Sequence, residues 1–429
     1  MSTAAPGRRD RLTFKGNLKE TRYGWLRLTP AYSVHLVADL LDAHAAPDAV
    51  LLDPFCGTGT TALVCAERGV ACDTTDINPF LIWLTRAKTR PYAPDQVTAF
   101  VQAAERVAAA MANDADLSPW TPPMHQIEKW WDAQPLAALG RAMAAIRELA
   151  QTTEESVVDL LKLAFCRVMI ESSHASFGHQ SMSFRRQATG GRRQAADGNP
   201  PSPAHRERGL GDEGCSWRQA VAAIAQSAQS PIAIPPRALL CDARTLADAL
   251  PPNHYDLVVT SPPYPNRMSY IRELRPYMYW LGYLRDGRQA GELDWQAIGG
   301  TWGIATSNVA KWTPNGETPP PVPGLDDTLT AIARRGDLLA RYVHKYVADM
   351  ATHCRELFAV VKPGGAIHYV VGNSKFYDVL LPTEQIFVAL FAAAGFVDLD
   401  TRILRKRTSK KELFEYLVTA HKPGEARSA

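Results

Sequence analysis

The segment 49–79 leaves this chain few architectures. Ala49-Val-Leu-Leu-Asp53 is an apolar run that ends in the turn Asp53-Pro54-Phe55-Cys56-Gly57-Thr58-Gly59-Thr60-Thr61, and a helical pattern follows over 60–68. Residues 70–76 then read as a second short strand, closed by Asp76, Ile77, Asn78 and Pro79. Strand, glycine turn, helix and strand in that order form a βαβ unit, the half of a doubly wound, mostly parallel α/β sheet. Strand character returns at 237–242 and 255–260, and Lys362-Pro-Gly-Gly365 reads as a turn that introduces a strand over 366–372. The alternating stretches 397–404 and 414–421 read as a closing antiparallel hairpin, which a plain dinucleotide-binding sheet lacks.

Between these halves the pattern changes. Residues 92–230 are alanine-rich and helical over 97–112, 136–150 and 157–171, and the later part, 187–211, is a loop rich in Gly, Pro and Arg. A second irregular stretch at 286–326 is followed by one long helical pattern, 329–361. The expected organisation is a cofactor half at 1–90, a large helical insertion at 91–235 and a catalytic-loop half at 236–285. A second insertion at 286–337 and the end of the sheet at 338–429 follow.

The chain has 429 residues, 46% of them hydrophobic, with no apolar run long enough for a membrane helix and no apolar block after the basic N-terminus. A protein of the cytoplasm is expected. Seven cysteines lie at 56, 65, 72, 166, 215, 241 and 354 without a C-x-x-C pair or adjoining His cluster, so reduced thiols and no metal are expected. A formal net charge of +3 says little about partners, but local charge says more. Six arginines against two acids crowd 184–210, and six basic residues with no acid lie in 402–411. Such clusters suit phosphates, and a solvated loop is the plain alternative.

The glycine loop lets a ligand approach the main chain closely. It lacks the later glycine and the Gly-Lys-Ser/Thr ending of phosphate binders, which disfavours a pyrophosphate. Asp76 ends the next strand, where a carboxylate can accept both ribose hydroxyls of a nucleoside. These residues resemble a known family. Asp53 to Thr61 is similar to the D-P-F-x-G-x-G-T-T motif of the amino-group DNA methyltransferases, and Asp76-Ile77-Asn78-Pro79 resembles their acidic second motif. The resemblance implies a seven-stranded methyltransferase sheet with S-adenosyl-L-methionine across these loops. Asp53 and the backbone of 55–59 would face its methionine part, and Asp76 with Ile77 its ribose and adenine. Trp25-Leu-Arg-Leu-Thr29-Pro30-Ala-Tyr-Ser33 looks like the family's N-terminal cofactor motif, which points to Thr29 and Pro30. Asp242 matches the place of a third motif that bonds the cofactor's adenine, with a helix cap as the plain alternative.

Ser261-Pro262-Pro263-Tyr264 follows an apolar strand, at the end of a doubly wound sheet where ligands bind. Two prolines fix φ twice and remove two N–H groups, so carbonyls and flanking side chains are presented in one geometry. Acceptors at Ser261 and a prolyl carbonyl would hold both N–H bonds of a nucleobase amine, and Tyr264 would stack on a base turned out of the helix. Ser-Pro-Pro-Tyr looks most like the N4-cytosine branch of the family, and no Pro-Cys dipeptide of the C5-cytosine branch occurs. Cys56 is read as packing within the cofactor loop and not as a nucleophile.

The resemblance spans about 1–90, 236–285 and 338–421. It implies direct methyl transfer to N4 of cytosine in a specific sequence of double-stranded DNA, with a cognate restriction endonuclease as a partner. N6 of adenine, an RNA substrate, and a nucleic-acid-binding protein without transfer activity stay open. Base and phosphate contacts are expected from the polar stretch 172–186, through Ser176, His179, Ser181, Ser183, Arg185 and Arg186, and from Arg267 and Arg272 after the catalytic loop.

Overall fold

The computed structural model describes residues 17, 21–26, 28, 32–112, 119–176, 183–184, 213–266, 269–314, 320–407 and 412–424. The chain divides into two compact units, one made of 1–91 with 230–429 and the other of 92–229.

The first unit is built on β1 (Val50–Asp53), β2 (Ala71–Asp76) and their helices α1 (Val34–His44), α2 (Thr60–Arg68) and α3 (Pro79–Thr89). The second unit holds α4 (Pro94–Ala112), α5 (Ala133–Leu149), α6 (Glu155–Glu171), a two-residue antiparallel pair of β3 (Ala175–Ser176) and β4 (Ser183–Phe184), and α7 (Glu213–Ala228). The first unit resumes with β5 (Arg237–Leu240), α8 (Leu246–Ala249), β6 (Tyr255–Thr260), α9 (Tyr270–Trp280), α10 (Gly287–Gln296), α11 (Ile304–Lys311), α12 (Leu325–Ala333), α13 (Asp337–Val360) and β7 (Val361–Gly372). It ends with the small hairpin of β8 (Ser374–Phe376) and β9 (Val379–Leu381), then α14 (Thr383–Ala394), β10 (Val397–Lys406) and β11 (Phe414–His421).

Seven strands form one sheet in the order β5-β2-β1-β6-β7-β11-β10. β1 pairs in parallel with β2 and β6, whereas β11 runs antiparallel to both β7 and β10. This is the doubly wound α/β sheet with a closing antiparallel hairpin that the sequence pattern predicts. The winding reverses between β1 and β6, which leaves a crevice at their carboxyl ends.

Period-two alternation explains why the sheet is covered on both faces. Leu51, Leu257, Val259, Val370 and Leu417 form one buried cluster with Leu36, Val37 and Leu40 of α1 and Val64 and Cys65 of α2. Their neighbours Leu52, Val258, Ile367, Tyr369 and Val371 join a cluster with α13 and α14.

Three expected elements differ. The turn expected at 362–365 lies inside β7, which already starts at Val361. The helical pattern 329–361 is broken at Gly336, whose backbone is extended at φ 174° and ψ 111°, so α12 and α13 are separate helices. The stretch 286–326 expected to be irregular carries α10, α11 and the start of α12, stabilised by tertiary contacts such as the buried Asp294 accepting from the Trp302 amide at 2.7 Å. No helix among the described residues is long and apolar enough to cross a membrane.

Candidate cofactor and substrate site

β1 delivers Asp53 to the crevice fully buried. Its Oδ1 accepts from Thr260 Oγ1 at 2.6 Å and from the Phe55 amide at 3.2 Å, whereas Oδ2 makes no hydrogen bond among the described residues. Burial pushes its carboxyl up to about 6, against the pull of Thr260, the Phe55 amide and Thr61. Thr260 is the last residue of β6, immediately before Ser261. One hydrogen bond therefore ties the base of the glycine loop to the base of the Ser-Pro-Pro-Tyr loop.

The glycine loop is shaped by sterics. Gly57 and Gly59 have φ of 51° and 74°, and a Cβ on Gly59 would lie 2.6 Å from Thr85 Oγ1. The Gly57 amide donates to Asp76 Oδ2 at 3.0 Å and the Asn78 amide to Oδ1 at 2.9 Å, so Asp76 braces both the loop and its own turn. The Ile77 amide adds a third backbone bond, and a carboxylate's about four lone-pair sites leave capacity for a ligand hydroxyl. Burial again pushes this carboxyl up to about 6. Beneath the loop, Lys88 is 2% exposed and donates to the Thr58 carbonyl at 3.0 Å, and burial lowers its ammonium to about 8. Phe55 meets the buried His353 ring edge-on at 4.7 Å. His353 is held by the Ala243 carbonyl and Tyr369 OH, and burial depresses it to about 4.

Not every expected cofactor residue turns its side chain to the crevice. Cys56 is buried against Thr85 Oγ1 at 2.8 Å, and burial drives its thiol far up, so it packs and does not attack. Thr60 and Thr61 are also buried, and Thr61 donates to the Val259 carbonyl at 3.3 Å. Asn78 caps α3 by accepting from the Phe80 amide at 3.0 Å and points its amide at Met278 Sδ. At these four positions the side chain is buried and bonded within the chain. Asp242 stands at the tip of β5, but both its oxygens are engaged by Arg244, which also pairs with Asp349 at 2.9 Å. Its carboxylate supports that turn through Arg244 and does not cap α8, whose N-cap is Thr245.

On the catalytic loop, Ser261 Oγ donates to the Val370 carbonyl at 3.0 Å and meets the Tyr264 hydroxyl, so the capacity it keeps for a ligand is as an acceptor. The Pro263 carbonyl is taken by Tyr346 OH at 2.8 Å, whereas that of the buried Pro262 has no hydrogen bond among the described residues. Tyr264 has its amide on Tyr270 OH at 3.4 Å and its ring against Gly372. Its hydroxyl is raised, mainly by burial. Arg272, on the first turn of α9, is half-buried, and its Nε has no hydrogen bond among the described residues.

Thr29, Pro30, His179, Ser181, Arg185, Arg186 and Arg267 lie outside the described residues. Ser176 and Ser183 are register partners in the β3–β4 pair of the second unit. Sequence reasoning missed Lys88, Thr260, Tyr346 and Tyr32, whose hydroxyl meets Thr61 Oγ1. Tyr32 lies inside the N-terminal motif and could have been singled out there; the other three carry no local pattern. Among the described residues, no group of three or more His, Cys, Asp or Glu is placed to hold a metal ion.

No family model and no curated protein matches the chain. Among solved structures, it is similar to a Thermus thermophilus protein put forward as a DNA modification methylase and solved with S-adenosyl-L-methionine. That match has 19% identity and a TM-score of 0.22, and covers 44% of this chain and 56% of that one. An rRNA methyltransferase from Streptomyces viridochromogenes matches at 12% identity and a TM-score of 0.27, over 92% of this chain and 89% of that one. The chain thus spans little more than half the length of the first of these.

Proposed function

We propose that the chain is an S-adenosylmethionine-dependent methyltransferase that modifies an exocyclic amino nitrogen of a nucleic acid, with N4 of cytosine in duplex DNA as its target. The observation that carries this reading is the Thr260–Asp53 hydrogen bond of 2.6 Å, because it brings a nucleoside-type loop and an amine-holding loop into one crevice. The residues fit the cofactor. Asp53 leaves a buried oxygen unpartnered, Asp76 keeps capacity for a ribose hydroxyl, and two left-handed glycines expose loop backbone. Bound there, S-adenosylmethionine supplies a methyl group on a sulfonium, open to in-line displacement.

The chain's own work is positioning. A cytosine amine is a poor nucleophile because its lone pair is delocalised into the ring. Ser261 Oγ and the Pro262 carbonyl accept its two N–H bonds, which favours a pyramidal nitrogen and frees the lone pair for attack. Tyr264 stacks on the base once it is out of the helix. Neither acceptor is basic enough to keep the proton that the product sheds, so it passes to water.

The deciding experiment incubates the protein with labelled S-adenosylmethionine and duplex DNA or RNA, then digests and identifies the modified nucleoside. Label in N4-methylcytosine is the expected result. Label in N6-methyladenine or in RNA would move the substrate, and no label in either would overturn the reading. Restriction of unmethylated DNA by a neighbouring nuclease would add the restriction–modification setting.

A further inference from the structure

We infer that Arg407 is a positioning residue for the Tyr264 ring, covering one face so that the opposite face is the one offered to the target base. The inference rests on the amino-methyltransferase reading and assigns a task at that same site to Arg407, one residue of the basic segment 402–411.

Arg407 is the residue after β10, and its amide donates to the Leu413 carbonyl at 2.8 Å across the hairpin. Its guanidinium carbon lies over the Tyr264 ring, 5.6 Å from the centroid, and Nη1 donates to the Asn373 carbonyl at 3.1 Å. The nearby carboxylate, Glu415, is spent on Arg405 through two bonds of 2.6 Å. Arg407 thus has no acidic partner among the described residues, and its guanidinium is shared between the Asn373 carbonyl and the tyrosine ring. One edge of the ring rests on Gly372, the last residue of β7. A Cβ there would lie 2.6 Å from Tyr264 Cε2, 2.9 Å from Cδ2 and 3.2 Å from Arg407 Nη1. Only a residue without a side chain lets ring and guanidinium both meet the strand end. The Tyr264 backbone is fixed separately, by Tyr270 OH on its amide and the Asn266 amide on its carbonyl. Beside the Ser261 contact to its hydroxyl, ring orientation rests on Gly372 and Arg407, two residues that β7, β10 and β11 bring together from about 35 positions apart in the chain.

The test compares wild type with Arg407→Ala, Arg407→Lys and Gly372→Ala. It measures kcat and KM on methylatable DNA, S-adenosylmethionine affinity, and fluorescence of 2-aminopurine placed at the methylated position. Misplacing a stacking ring by about 1 Å costs on the order of tenfold to a hundredfold. Arg407→Ala and Gly372→Ala are expected to lose that much in kcat and to change the aminopurine signal, with cofactor affinity held within about twofold. Arg407→Lys should recover most of the loss, because an ammonium also lies favourably over an aromatic face. An active wild type alongside an Arg407→Ala variant with unchanged kcat and fluorescence overturns this inference alone. So does a fall in cofactor affinity parallel to kcat, which marks a merely structural role. A wild type that transfers no methyl group to any nucleic acid overturns the functional reading and this inference with it.

Discussion

Asp53 and Asp76 show how the same chemistry is put to two uses within one crevice. Both carboxyls are pushed by burial from an ordinary 3.8 to about 6. A raised carboxyl holds more protons in the folded than in the unfolded chain between those values. These two groups therefore favour folding below about pH 4, and their contribution declines as pH rises to 6. Ligand binding runs the other way, since a hydroxyl donates best to an ionised Asp76. The dissociation constant for S-adenosylmethionine should rise as pH falls below about 6, and Asp76→Asn should flatten that dependence; titration calorimetry across about pH 5 to 8 reads both. Asp76→Ala should weaken cofactor binding on the order of tenfold or more. Ser261→Ala and Tyr264→Ala should instead lower turnover with cofactor affinity nearly unchanged, and equal binding losses in all three would contradict the division of roles. Asn78→Ala should cost about 1 kcal/mol of stability through loss of the α3 cap, measurable by denaturant unfolding. At this scale residue types in order were enough to set Asp53 and Asp76 at the ends of β1 and β2 and Ser261 after β6. They could not tell a side chain facing a ligand from one facing the core. Thr61 and Asn78 stand in the same motifs, yet burial decides their orientation.

Among elements, the turn from β1 to α2 is the most demanding. Gly59→Ala must place a side chain at φ 74° and within 2.6 Å of Thr85 Oγ1. It should lower stability by about 1 kcal/mol or more and reduce cofactor binding, seen as a lower melting temperature with and without ligand. The helix α2 and the strands β6 and β11 follow their sequence patterns closely, because each couples a clean period to sharp turn residues at its ends. The stretch 286–326 was opaque for the opposite reason. Its glycines and prolines weaken any period, and helices α10 and α11 are held by tertiary contacts that have no local signature. Ser269 shows this well, capping α9 while donating to Asp294 in α10.

For the molecule as a whole, the sheet is pinned on the side away from the crevice as well. Tyr255 OH of β6 donates to Asp73 Oδ2 of β2 at 2.6 Å, and Arg237 of β5 pairs with the same carboxylate at 2.5 Å, spanning β1. Asp73→Ala would leave a buried tyrosine hydroxyl without its acceptor and should cost about 1–3 kcal/mol, with a lower melting temperature and cofactor affinity unaltered. The order of segments in the chain was sufficient for the doubly wound sheet, the closing hairpin and the two loops at its rim. Period and turn chemistry act locally and survive in a bare string of letters. The joining of those loops through Thr260, the withdrawal of Asp242 into Arg244 and the clamp of Arg407 on Tyr264 were decided only in three dimensions. Each depends on strands distant in sequence lying side by side, and on which groups burial leaves with a partner.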